Sequence, residues 1–101
     1  MIGFRELPVN DYASFVDDQT QLIDVRQPSE LAEGTLPGSV NIPLDRLVDR
    51  VRELDPKRRT IVFCRSGGRS AQAAQVLASA GFDDVINLAG GMLAFRQGVP
   101  R

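Results

Sequence analysis

The sequence predicts an α/β fold, a parallel sheet with helices on both faces. Residues 22–25, 61–63 and 85–88 read as near-continuous apolar runs rather than alternating ones. That pattern suits strands buried on both sides. Segments with helical spacing separate these runs, and strand–helix alternation is the mark of a parallel sheet. Glycines and prolines fall between the segments and punctuate them.

Taken in order, residues 2–6 are expected to form a short edge strand. Pro8 with Asn10 or Asp11 then starts a helix whose apolar stripe is Tyr12, Phe15 and Val16. Residues 21–25 form the next strand, and Pro28 and Ser29 open a helical turn that Gly34 closes. The stretch TLPGSVNIP at 35–43 is turn-rich, with a brief extended piece at 39–42. Apolar residues at 44, 47, 48, 51 and 54 have helical spacing, and Asp55-Pro56 stops that helix. A strand at 60–63, a helix at 69–80 ended by Gly81, and a strand at 85–88 follow. Gly90-Gly91 then leads into a short helix near 92–96. Functional residues of such sheets gather where strands end and helices begin. Residues 24–26, 64–70 and 88–91 should therefore share one rim.

With 101 residues, the chain is expected to form one domain spanning 1–101, with a core of its own. Net charge is −1, which argues neither for nucleic acid nor for an anionic membrane, and neither is expected as a partner. No apolar run reaches membrane-spanning length, and the N-terminal residues lack the long apolar run of a secretory signal. A cytoplasmic address and a monomer are the expectations. There is no histidine, which removes Ser-His-Asp triads, Cys-His pairs and histidine metal sites together. The lone cysteine, Cys64, rules out an intrachain disulfide or a CxxC pair. No metal or other cofactor is expected.

Cys64 sits in TIVFCRSGGRS, between a strand and a helix. A cysteine at a strand end is by itself most often a small buried hydrophobe, and Gly-Gly is often only a turn. The order strand, cysteine, glycine-rich loop, helix says more. Gly67 and Gly68 can take positive φ, so successive N–H groups can face one concavity. The helix adds unpaired N–H groups and the positive end of its dipole. Arg65 and Arg69 place positive charge at the rim. In such a cradle the thiolate is favoured without a general base, which fits a chain lacking histidine. The loop matches neither a Walker A sequence nor GxGxxG.

These residues resemble the rhodanese-like family. LIDVRQPSEL at 22–31 looks like its Asp-Val-Arg strand and acidic turn. EGTLPGSVNIPL at 33–44 looks like its Glu-Gly-His-Ile-Pro-Gly-Ala-x-Asn-Ile-Pro segment. IVFCRSGGRSAQAAQVLASAGF at 61–82 looks like its active-site loop and helix, and VINLAGGMLAF at 85–95 like its closing segment. The resemblance implies a five-stranded parallel sheet and a thiosulfate sulfurtransferase. It makes Cys64 the nucleophile that takes a sulfane sulfur as a persulfide. Arg65, Ser66, Gly67, Gly68, Arg69 and Ser70 become the substrate-binding loop, with the N–H groups of 65–69 around the added sulfur and the two arginines drawing the anionic donor. With one cysteine, the sulfur must leave to an external acceptor: a small thiol, a partner protein's cysteine, or cyanide. Thr35 stands where the family usually has histidine, and Phe95 where it has tryptophan.

Two rivals share the fold: phosphatase or arsenate-reductase-like chemistry, and a non-catalytic interaction module. Phosphatase loops of this fold run Cys-x5-Arg, whereas Cys64 to Arg69 is Cys-x4-Arg, a better fit to one sulfur atom. Non-catalytic members commonly lack the cysteine. Asp24 and Arg26 are expected to be structural, as an ion pair or in loop hydrogen bonds with Glu30. Ser66 and Ser70 either donate hydroxyls to the sulfur or cap the helix. Residues 57–59, Lys-Arg-Arg, are expected to be solvated surface, Asp83-Asp84 a turn, and the thiol exposed.

Overall fold

The structure, a computed structural model, describes residues 3–97. Strands β1 (Arg5–Pro8), β2 (Gln21–Asp24), β3 (Val40–Asn41), β4 (Thr60–Phe63) and β5 (Val85–Ala89) form one sheet. Its order is β1-β5-β4-β2-β3, and every neighbouring pair is parallel. The helices are α1 (Leu44–Arg50), α2 (Gly68–Ser79) and α3 (Gly91–Gln97), with 3-10 turns at Val9–Phe15, Pro28–Glu33 and Val51–Glu53. No helix among the described residues is long and apolar enough to cross a membrane.

The side-chain period of two divides the core between two faces. Ile23, Val62, Ala73, Ala74, Leu77 and Cys64 share one cluster, on the α1 and α2 side. Leu22, Ile61, Phe63, Ile86, Leu88 and Met92 share the other, under α3 and the Val9–Phe15 turn. Both faces are covered, so the three central strands are almost wholly buried.

The elements follow the sequence with local shifts. The edge strand runs Arg5–Pro8 rather than 2–6, and Ile2 lies outside the described residues. Pro8 stands at the strand's end, where a missing N–H costs the ladder little. The following segment is a 3-10 turn, not an α-helix. Tyr12 and Phe15 pack on the core, but Val16 is extended and 36% exposed. The chain must reverse into β2 at once, and Asp17 and Thr20 lock that reversal through their side chains. The helix expected at 44–54 overwinds after Arg50. Leu44, Leu47, Val51 and Leu54 make its seam, while Val48 points to solvent at 67% exposure.

The strand order places the site. From β2 the chain moves outward to β3; from β4 it moves the other way to β5. The crevice beyond the C-terminal ends of β2 and β4 is therefore the switch point where α/β sheets bind ligands.

Candidate active site

Cys64 directly follows β4, and Gly67, with φ +106°, is the N-cap of α2. That left-handed glycine folds the loop back over the sulfur. Gly67 N–H donates to Sγ at 3.1 Å and Ser70 N–H at 3.4 Å. The Ser70 hydroxyl lies 3.4 Å from Sγ and 3.2 Å from the Gly67 carbonyl, with one proton for the two acceptors. The N–H groups of Gly68 and Arg69 open α2 and have no partner among the described residues.

Electrostatically, the cradle outweighs burial. Desolvation pushes the thiol pKa up, but the Ser70 hydroxyl and the N–H groups of Ser70, Gly67 and Ser66 bring it below its ordinary value. The sequence leads one to expect an exposed thiol, but Cys64 has 0% of its surface accessible. The reason is the period-two pattern, which aims Sγ at α2 and the inner side of the loop.

Elements on both sides brace the loop. Met92 and Leu93, in the first turn of α3, donate their N–H groups to the carbonyls of Cys64 and Arg65, each at 2.9 Å. The approach is so close that a Cβ on Gly91 would lie 2.5 Å from the Cys64 oxygen. On the β2 side, Arg69 holds Glu30 through two bonds of 2.7 and 2.9 Å. The Arg69 guanidinium pulls the Glu30 carboxyl down to about 2. Glu30 also accepts from Gln27 N–H in a capping box, so Arg69 is tied to a fixed turn.

That turn rests on a buried ion pair. Arg26 meets Asp24 at 2.7 Å with both side chains inaccessible, and donates to the carbonyls of Glu30 and Gly34. Thr35 donates its hydroxyl to Asp24 at 2.7 Å. The residue at the family's usual histidine position is thus part of the scaffold. Phe95 packs edge-on against Tyr12, 6.0 Å between ring centroids, on the opposite face of the sheet.

The two loop arginines differ sharply. Arg65 is exposed, and its guanidinium has no ionic or hydrogen-bonded partner among the described residues. Arg69 has its charge matched by Glu30. Ser66 is exposed on the loop and acts on the sulfur through its backbone N–H. Of the basic run, Arg59 is no free surface group: it pairs with Asp84, caps the Phe15 carbonyl and lies over the Phe15 ring. Asp84, expected only in a turn, also pairs with Arg5.

Sequence reasoning missed two residues here. The sequence links Glu30 to Arg26 and gives no sign of Arg69 as its partner. Asn87 on β5 has no place in the sequence reading, although its amide donates to the Gly67 carbonyl at 3.3 Å. A signal existed for it. A polar residue inside the apolar strand VINLA must find partners.

Comparison with known proteins agrees with this fold. The sequence pattern described as the Rhodanese-like domain matches residues 9–97. The chain is 32% identical over 98 residues to "Thiosulfate sulfurtransferase GlpE" of Shewanella oneidensis, covering 96% of this chain and 97% of that one. It is 39% identical over 80 residues to "Sulfurtransferase" of Allochromatium vinosum, covering 78% of this chain and 75% of that protein. The crystal structure of a rhodanese-like domain protein from Staphylococcus aureus superposes with a TM-score of 0.81 at 26% identity, over 91% of each chain. A five-stranded parallel sheet, a cysteine cradled at its switch point and this match over most of the length place the chain in the rhodanese-like domain family.

Proposed function

We propose that the chain is a thiosulfate sulfurtransferase working through a persulfide on Cys64. One observation carries the reading: Sγ is surrounded by donors from Gly67 and Ser70 at 3.1–3.4 Å, inside a Cys-x4-Arg loop. The thiolate attacks the outer sulfur of thiosulfate. A new S–S bond forms to Cys64, and the bond to the SO3 group breaks, with its electron pair leaving on sulfite. The persulfide keeps one negative charge. The free N–H groups of Gly68 and Arg69, at the positive end of α2, are the donors available to it. Arg65 draws in the dianionic donor, and Arg69 shapes the loop while adding charge behind it. An external thiolate or cyanide then attacks the outer sulfur and restores the Cys64 thiolate.

The acceptor must come from outside, because the chain has no second cysteine. A small thiol or a protein cysteine fits, and so does a cytoplasmic setting that keeps a lone thiol reduced. The domain is proposed to work as a monomer and without a cofactor.

The test is direct. Protein treated with thiosulfate should gain about 32 Da, one sulfur atom, on Cys64. Cyanide should remove that mass as thiocyanate. Aryl phosphate hydrolysis without sulfur loading would instead support a phosphatase.

A further inference from the structure

Asn87 lies at the centre of β5, 2% exposed, and opposite Val62 in the sheet register. Its face is the one that carries Val62, Cys64 and α2. The side-chain amide donates to both carboxylate oxygens of Glu6, each at 3.1 Å, and to the Gly67 carbonyl at 3.3 Å. Two N–H bonds suffice for these two partners. The opposite orientation would turn Oδ1 toward three acceptors, so the chemistry fixes the amide this way round. The orientation is kept although buried Oδ1 has no hydrogen-bond partner. Glu6 stands beside Asn87 in the β1–β5 register, so the chain of bonds runs from the sheet edge to the loop.

The Gly67 carbonyl is where this matters. It accepts from Ala71 N–H at 3.1 Å, from Asn87, and from the Ser70 hydroxyl at 3.2 Å. The Ser70 proton is wanted twice, by this carbonyl and by Sγ. We propose that Asn87, held by Glu6, is a positioning residue for the Cys64 thiolate: by satisfying the Gly67 carbonyl it releases the single hydroxyl proton of Ser70 to the sulfur. Asn87 touches neither sulfur nor donor. It acts through Ser70.

The charged groups around the sulfur are Arg65 and Arg69 on the loop, Glu30 from the Pro28–Glu33 turn, the Asp24–Arg26 pair after β2, and Glu6 behind Asn87. Asn87→Leu leaves the loop and turn charges in place, releases the exposed Glu6 carboxylate to water, and removes the unpartnered Oδ1. It should fold.

The inference rests on Cys64 being the reacting atom of the proposed transfer. It is read by iodoacetamide alkylation against pH, which needs no sulfur donor, so the two can fail separately. Asn87→Leu should move the alkylation midpoint upward by about half a unit, a roughly threefold loss of thiolate below it. In a Ser70→Ala background the same substitution should have little further effect, because the proton it releases is gone. A wild-type midpoint in folded Asn87→Leu, or full additivity with Ser70→Ala, overturns the proposal. A second measurement needs no variant. In the wild-type protein the Asn87 side-chain amide resonances should titrate with the Cys64 midpoint; signals that stay fixed through that midpoint overturn it equally.

Discussion

At the scale of single residues, the site separates groups that donate to the sulfur from a charge left free at the rim, the one proposed to guide the anion. Cys64 is fully buried, a setting that by itself would keep a thiol protonated. Its pKa is nevertheless lowered, because Ser70 and the loop N–H groups donate to the charged form. Ser70→Ala should therefore raise the midpoint of Cys64 alkylation, with a roughly threefold to tenfold slower reaction near pH 7. Arg65 and Arg69 look equivalent in the sequence, yet only Arg65 is free. Steady-state kinetics should show the difference. Arg65→Ala should raise KM for thiosulfate several-fold, about the effect of one exposed charge near a dianion, with a smaller change in kcat. An equal loss in both parameters would mean that Arg65 acts on the transition state. Cys64 and its loop were legible because glycines, arginines and a thiol follow a strand in order. The partner of Arg69 was not: Glu30 is 39 residues away, and no local pattern announces a contact that two strand ends create.

At the scale of elements, the loop is held from four sides: by α2, by Asn87 of β5, by the first turn of α3, and by the turn after β2. The last of these is sensitive to acid. Glu30 has a folded pKa of about 2, below the ordinary value of 4.5. As pH falls, the unfolded chain takes up this proton first, so the stabilisation is whole above about 4.5 and fades as pH drops through 2. Thermal melts should show Glu30→Gln less stable than wild type at pH 7, with the gap closing at pH 2–3. A constant gap across that range would place the contribution elsewhere. The buried Asp24–Arg26 pair beneath the turn is less forgiving. Asp24→Ala leaves a guanidinium unpaired in the interior and should cost about 3–5 kcal/mol, read by urea unfolding. That is a large part of the about 5–15 kcal/mol typical of a domain. The sequence located these elements better than it located their helical type. The segments at 9–15 and 51–53 are 3-10 because short connections and a change of direction override the apolar spacing.

For the whole molecule, the fold was legible because burial on both faces leaves its mark on composition. The central strands read as near-continuous apolar runs, and the interruptions were the informative residues: Asp24 anchors the scaffold and Asn87 reaches the loop. Strand order was less legible. It depends on which way each connection crosses the sheet, and single segments do not record that. The absence of histidine also has a consequence for the whole chain. With no imidazole anywhere in the chain, no histidine base titrates alongside the Cys64 thiol. Its alkylation profile should be one simple rise, and a bell shape would contradict the account. The central claim is that this buried, donor-lined thiol carries sulfur, and intact mass spectrometry after incubation with thiosulfate tests it most directly. The wild-type protein should gain about one sulfur atom (~32 Da) and lose it to cyanide, while Cys64→Ser gains nothing. An unmodified wild-type mass, or the same gain in Cys64→Ser, would contradict it.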